Sequence, residues 1–181
     1  RFKELRLAHG RERDGDVNRI LRLASSKGIP TRFVEIRELD RWAPGYLGHQ
    51  GLVLMLNEPP VADEWDDVLT ECRKRRSALL VALDSVSDHQ NVGAIARCAA
   101  AFGAMGLVAP RDRAAPLIHP AVWRVAQGAA EHIRLVSVVN LSRALAHLKE
   151  EGFWIVGASM EAKDEDLAMV REWPAKICLV F

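Results

Sequence analysis

Hydrophobic and polar positions follow two regimes along this chain. Residues 2–8, "FKELRLA", alternate as a half-buried strand does. "GDVNRILRLASSKG" then sets Val17, Ile20, Leu21 and Leu23 on one helical face, with Gly28 as the stop. "TRFVEI" predicts a short strand, "RELDRWAPGYLG" a short helix and a turn, and "HQGLVLMLN" a longer buried strand; this unit closes near Asn57. From residue 78 the apolar runs become continuous. The order is strand "SALLVAL", helix "GAIARCAAAFG", strand "MGLVAP", helix "AVWRVAQGAAEH", strand "IRLVSVV", then helix "LSRALAHLKEEG" capped by Asn140. Strands "FWIVGASM" and "KICLVF" follow. Unbroken apolar strands alternating with helices predict the α/β class, with a parallel sheet covered on both faces.

The two regimes are separated by residues 58–77, "EPPVADEWDDVLTECRKRRS". A Pro pair, an acidic stretch and a basic run read as a linker with one short helix. The basic run, Arg73, Lys74, Arg75 and Arg76, is either a solvated helix end favoured by the macrodipole or a phosphate-contacting patch.

Composition narrows the options. The 181 residues are 49% hydrophobic, enough to bury one large core or two small ones. A formal net charge of +1 excludes a global polycation, so RNA contact would have to be local. Cys72, Cys98 and Cys178 show no CxxC spacing, which argues against a disulfide framework and a structural zinc site and fits a reducing cytoplasm. No metal site is expected. No apolar stretch reaches membrane-span length, and no signal-peptide pattern is present. The chain opens without Met and stops in an apolar strand, so both ends read as cuts through a longer protein.

Candidate chemistry concentrates in residues 83–103, "LDSVSDHQNVGAIARCAAAFG". This loop leaves the carboxyl end of a predicted strand, where open α/β sheets bind ligands. Asp84, Asp88 and Asn91 are placed to cap the following helix or to contact a ligand, and Gly93 permits a close approach. Arg97 stands in a helix of Ala, Ile, Cys and Phe, on a face shared with Ala94 and Ala101. A cation buried there needs an anionic partner. The choice is an internal ion pair with Asp84 or Glu131, or a substrate phosphate or transition-state charge. Neither GxGxxG nor GxxxxGK[ST] occurs.

The stretch "LDSVSDHQNVGAIARCAAAFGAMGLV" resembles the first motif of the SpoU (TrmH-like) RNA ribose methyltransferases of the SPOUT class, at Asp84, Val86, Asp88, Asn91, Gly93, Ala94, Arg97 and Ala99. It departs at His89, where the family usually has Pro, and at Cys98, usually Ser or Thr. "VWRVAQGAAEHIRLVSVVNLSRAL" is similar to the family's next segment, with its Ser/Gln-Gly-Ala-x-Glu core at Gln127 to Glu131, and "FWIVGAS" to a later strand. The part ending "HQGLVL" is similar to the family's small ribosomal-protein-like substrate domain.

The resemblance implies an RNA substrate-binding domain over 1–57, the linker 58–77, and an α/β-knot methyltransferase domain over 78–181. It implies S-adenosylmethionine as cofactor, transfer to a ribose 2′-hydroxyl, and a homodimer built through the C-terminal domain. The ribosomal-RNA guanosine-2′-O branch is the nearest likeness. Arg97 takes a catalytic role, with Asn91 orienting ribose or arginine and Glu131 fixing Arg97 or binding RNA. Gly157, Ala158 and Ser159 lie at the cofactor strand end. Arg73, Lys74, Arg75, Arg76, Arg111 and Arg113 are candidate RNA contacts. The family's Gly-x-Glu-Gly-x-Gly and Ser-Leu-Asn-rich segments are missing from the sequence given, so these residues alone are not expected to be active. A non-catalytic RNA-binding module that keeps the fold stays as the alternative. His119 reads as a surface residue of a loop, His49 as a family-specific contact or a turn residue, and Trp123 and Trp154 as core or interface aromatics.

Overall fold

The structure, a computed structural model, describes residues 2–43, 48–58, 60–159 and 172–181. It divides into two units, residues 1–60 and 61–181.

The first unit is a three-stranded sheet in the order β2-β1-β3. Strand β1 (Phe2–Ala8) runs parallel to β2 (Thr31–Val34) and antiparallel to β3 (Leu52–Leu56). Helix α1 (Gly15–Ser26) starts at Asp14, whose carboxylate accepts from the Asp16 N–H, and ends before Gly28 at φ 64°. Its buried residues are Val17 and Ala24. Leu21 is partly covered, but Ile20 and Leu23 are exposed, contrary to the expected face. The reason is geometric: Val17 and Ala24 are seven residues apart, which selects a narrower stripe than the apolar residues alone define. Helix α2 is Ile36–Trp42; the turn expected after it falls partly on residues 44–47, outside the described residues. Strand β3 is only partly buried, because it forms one edge of this sheet.

The second unit is a five-stranded, wholly parallel sheet in the order β6-β5-β4-β8-β7. Its strands are β4 (Ala78–Ala82), β5 (Gly106–Pro110), β6 (Arg134–Val138), β7 (Trp154–Gly157) and β8 (Lys176–Val180). The last residue of the segment read as β7, Met160, lies outside the described residues. One sheet face carries Val81, Leu83, Leu107 and Leu135 against helices α4 (His89–Ala101) and α5 (Pro120–Ala126). The other carries Leu80, Ala82, Val108 and Val136 against helices α3 (Trp65–Arg73) and α6 (Leu141–Glu150). Asn140 caps α6 by accepting from the Arg143 N–H at 2.9 Å.

Two sequence expectations are revised here. The short helix expected within 58–77 is a full member of the second unit: Val68, Leu69 and Cys72 are buried under the sheet. Asp63 then pins the chain to the β6 edge. Its N–H donates to the Leu135 carbonyl, and its carboxylate accepts from the Leu135 N–H and the Arg134 guanidinium, each at 2.8 Å. This covers an otherwise unpaired strand edge. The helix expected through "AVWRVAQGAAEH" stops at Ala126, because Gln127 and Gly128 both turn left-handed at φ 51° and 87°. A separate 3-10 turn, Ala129–Glu131, follows.

Candidate active site at the sheet switch point

Leaving β4, the chain steps outward through β5 and β6, then resumes on the opposite side with β7 and returns as β8 beside β4. The direction of winding therefore reverses between β4 and β8. Ligands of open α/β sheets bind at the carboxyl ends of strands at such a reversal. Here the Asp84 N–H donates to the Phe181 carbonyl at 2.7 Å, and the Ala158 N–H to the Val180 carbonyl at 2.9 Å, so three strand ends meet.

The loop after β4 is held from two sides. Asp88 is the N-cap of α4, its carboxylate accepting from the Gln90 N–H at 2.8 Å. Asn91 is thereby left as an exposed residue of the first turn. The loop after β5 joins it: the Ala115 N–H donates to the Val86 carbonyl at 2.9 Å, and the His89 and His119 ring centroids lie 4.1 Å apart with the rings tilted by 43°. His119 is half-buried, and its Nδ1 accepts from the Ala121 N–H at 3.2 Å, capping α5; it is no plain surface residue. This second loop carries Arg111 and Arg113, both exposed, with Arg113 at φ 69°. Among the described residues, positive-φ positions other than glycine are Gln50, Ser85, Arg113 and Gln127. Three of the four lie around α4 and α5, and backbone strain of this kind gathers at functional sites.

Helices α4 and α5 lie side by side in a constant register, each contact about thirty residues apart in sequence. His89 meets His119, Gly93 meets Val122 and Val125, and Arg97 meets Gln127. Gly93 makes this possible. A β-carbon there would sit 2.7 Å from the Val122 carbonyl oxygen and 2.7 Å from Val125 Cβ. The approach that Gly93 permits is thus that of a neighbouring helix.

Arg97 is exposed, which overturns the premise of a buried cation; among the described residues none of the buried ones is polar or charged. Its Nη1 donates to Gln127 Oε1 at 3.4 Å, a long hydrogen bond to a neutral acceptor. Glu131 is exposed in the 3-10 turn that follows Gln127. Gly157, Ala158 and Ser159 are exposed at the end of β7, and the space where a Gly157 side chain would lie is open.

The basic run is split. Arg73 forms a fork with Glu151, and Arg75 pairs with Glu71 at 2.9 Å. The Arg73 hydrogen bond holds the Glu151 carboxyl below its ordinary range, and the same pair raises Arg73. Lys74 and Arg76 are exposed. Arg134, missed in the sequence, is raised by its hydrogen bond to Asp63 and serves the edge clamp. Trp123 is half-buried against the core, whereas Trp154 is exposed. His49 bonds Asp40 and accepts from the Gly51 N–H, which makes it a turn residue. No group of three or more His, Cys, Asp or Glu among the described residues is arranged to hold a metal. No helix among them is long and apolar enough to cross a membrane.

The second unit is a parallel α/β domain whose strand-end loops meet at its switch point, the place where open sheets of this kind bind ligands. Residues 78–181 match the SpoU rRNA methylase family, and residues 1–62 match the RNA 2′-O ribose methyltransferase substrate-binding family. The chain belongs to the SpoU rRNA methylase family. A 23S rRNA (guanosine-2′-O-)-methyltransferase RlmB from Pseudomonas syringae pv. tomato is 41% identical over 167 residues, which are 91% of this chain and 64% of that protein. The RlmB of Pseudomonas aeruginosa is 42% identical over 164 residues, 90% of this chain and 64% of that protein. This chain thus spans just under two thirds of the length of these relatives. Its fold superposes on the SpoU methyltransferase AviRb from Streptomyces viridochromogenes, solved in complex with the cofactor AdoMet, with TM-score 0.72 and 20% identity. That match covers 99% of this chain and 64% of the other. An AdoMet-bound rRNA methyltransferase from Sinorhizobium meliloti matches with TM-score 0.71 at 17% identity, over 99% of this chain and 62% of that one.

Proposed function

We propose that the full-length protein transfers a methyl group from S-adenosylmethionine to a ribose 2′-hydroxyl of ribosomal RNA. The observation that carries this reading is Arg97: a solvent-facing guanidinium on α4, the helix that follows the switch-point loop, hydrogen-bonded to a neutral amide. The names of the RlmB relatives support a guanosine of 23S rRNA as the target.

A ribose hydroxyl is a poor acid and must shed its proton as it attacks. A guanidinium offers donors and no acceptor, so Arg97 is no simple base. It lowers the barrier as a fixed cation, holding the neighbouring phosphate, through which the hydroxyl proton passes to solvent, and stabilising charge that grows on the 2′-oxygen. Asn91, exposed on the first turn of α4, orients the ribose; Glu131, exposed in the 3-10 turn after α5, contacts RNA or steadies Arg97. The cofactor supplies an electrophilic methyl group. Gly157, Ala158 and Ser159 fit one side of its site, because they are small and exposed at the end of β7, with open space at Gly157 among the described residues.

RNA phosphates meet Lys74, Arg76, Arg111 and Arg113, which are exposed; Arg73 and Arg75 join only by releasing Glu151 and Glu71. Residues 1–57 act as the RNA-binding domain. The unit that contains them carries eleven Lys and Arg against eight Asp and Glu, whereas the second carries fourteen against sixteen. Positive charge is thus concentrated where phosphate is to be held. Residues 58–77 lead from this domain into the methyltransferase domain over 78–181, with α3 among them packed under that domain's sheet. The protein works as a cytoplasmic homodimer: its thiols are free, and α4 ends in Phe102, 82% exposed beside exposed Cys98 and Ala101.

The test is to incubate the full-length protein with unmodified 23S rRNA transcript and methyl-labelled cofactor, then identify labelled nucleosides by mass spectrometry. Label in the ribose of guanosine is expected. Label on a base, or tight RNA binding with no transfer, overturns the proposal; the latter result favours a non-catalytic RNA-binding module.

A further inference from the structure

Helix α5 ends on a strained residue. Gln127 has φ 51° and ψ 45°, the left-handed region, and Gly128 follows at φ 87°. Glycine takes this conformation freely, and Asn tolerates it, whereas an ordinary β-carbon meets steric resistance. Gln127 is exposed, so core packing does not explain its strained conformation. Its backbone N–H stays bonded to the Trp123 carbonyl at 3.1 Å, which ties the turn to the helix end. Its side-chain oxygen accepts from Arg97 Nη1 at 3.4 Å.

We propose that Gln127 is a positioning residue for Arg97: the strained turn aims its amide oxygen at the guanidinium and thereby sets where the other N–H groups point. The inference rests on Arg97 being the cation of the reaction. The α4–α5 register supports it. Gly93 brings α5 within van der Waals reach of α4, and one turn further along both helices Gln127 arrives opposite Arg97. The chemistry of the acceptor supports it as well. An amide oxygen orients a guanidinium without cancelling its charge, whereas a carboxylate in its place would weaken the cation that the transition state needs. Glycine at 127 would relax the turn and delete the amide. Asn would keep the turn comfortable but shorten the arm by one methylene.

The experiment compares Gln127→Gly and Gln127→Asn with wild type and with Arg97→Lys in the full-length enzyme. Thermal melting, kcat and KM for RNA and cofactor, and side-chain 15N relaxation of the Arg97 guanidinium are recorded on each. In Gln127→Gly the Tm should rise by roughly 2–4 °C as strain is relieved. Its kcat should fall about 10- to 100-fold as the cation loses alignment, with little change in either KM. The guanidinium of Arg97 should become more mobile in both Gln127 variants, a change visible without turnover. Gln127→Gly with wild-type kcat and guanidinium order, beside an inactive Arg97→Lys, overturns this inference and leaves the role of Arg97 standing. A fully active Arg97→Lys overturns both. A lowered Tm in Gln127→Gly contradicts the strain on which the inference depends and overturns it.

Discussion

Gly93→Ala probes the contact on which the candidate site is built. The new β-carbon would lie 2.7 Å from the Val122 carbonyl oxygen, 2.7 Å from Val125 Cβ and 3.1 Å from Val125 Cγ1. A backbone carbonyl cannot rotate aside, so α5 itself must retreat. Restoring ordinary contact at 3.4 Å moves it by about 0.7 Å. Overpacking of this kind costs about 1–3 kcal/mol, and replacing glycine by alanine inside a helix returns up to about 1 kcal/mol. The balance is about 1–2 kcal/mol of destabilisation, or a Tm lower by roughly 2–8 °C for a chain of this size. The displacement also carries Gln127 away from Arg97, so methyl transfer should fall even at temperatures where the variant is fully folded. Differential scanning calorimetry gives the first quantity and single-turnover kinetics the second. A Gly93→Ala protein with unchanged or raised Tm would refute the close α4–α5 packing and the register derived from it.

Two further consequences follow from burial and from the edge clamp. Cys98 is exposed, whereas burial pushes the Cys178 thiol up to about 12 and also raises Cys72. Iodoacetamide at pH 8 should therefore modify Cys98 alone in the native chain, and peptide mapping that finds Cys178 labelled without unfolding would contradict its burial. The same shift acts on stability: the unfolded thiol ionises near 9 and the folded one only near 12, so this contribution is intact below pH 9 and drains away as pH rises towards 12. Asp63→Ala should leave the part-buried Leu135 N–H without its carboxylate acceptor and cost about 1–3 kcal/mol. Hydrogen exchange at the Leu135 amide should accelerate, and unchanged protection there would show that the clamp on β6 carries no weight.

Much of the frame was legible because apolar runs and helix signals agreed locally. The strands "FKELRLA", "SALLVAL" and "KICLVF" became β1, β4 and β8, and Asn140 caps α6 as its position predicts. What was misread depends on tertiary contact. Helix α3 looked like a linker because Val68, Leu69 and Cys72 sit between an acidic and a basic run; only the sheet face beneath them reveals a core helix. Arg97 looked buried because an Ala-rich helix offers no contrast between its faces: Ala96 and Ala99 are buried, whereas Cys98, Ala101 and Phe102 are not. The motif residues were found by their likeness to a family, but the pairing of Arg97 with Gln127 was not. A contact thirty residues apart leaves no local periodicity, and the early end of α5 was marked only by Gly128.

The central claim is that Arg97 acts as an oriented cation on a ribose hydroxyl. Single-turnover methylation of 23S rRNA by the full-length Arg97→Lys enzyme, with thermal melting on the same preparation, tests it most directly. Lysine keeps the charge but loses the planar fork that can hold a phosphate oxygen and the 2′-oxygen together. The expected result is a rate lower by about 100- to 1000-fold, with Tm and cofactor affinity near wild type. A variant that melts lower yet methylates at the wild-type rate per folded molecule would contradict the claim and leave Arg97 a structural residue.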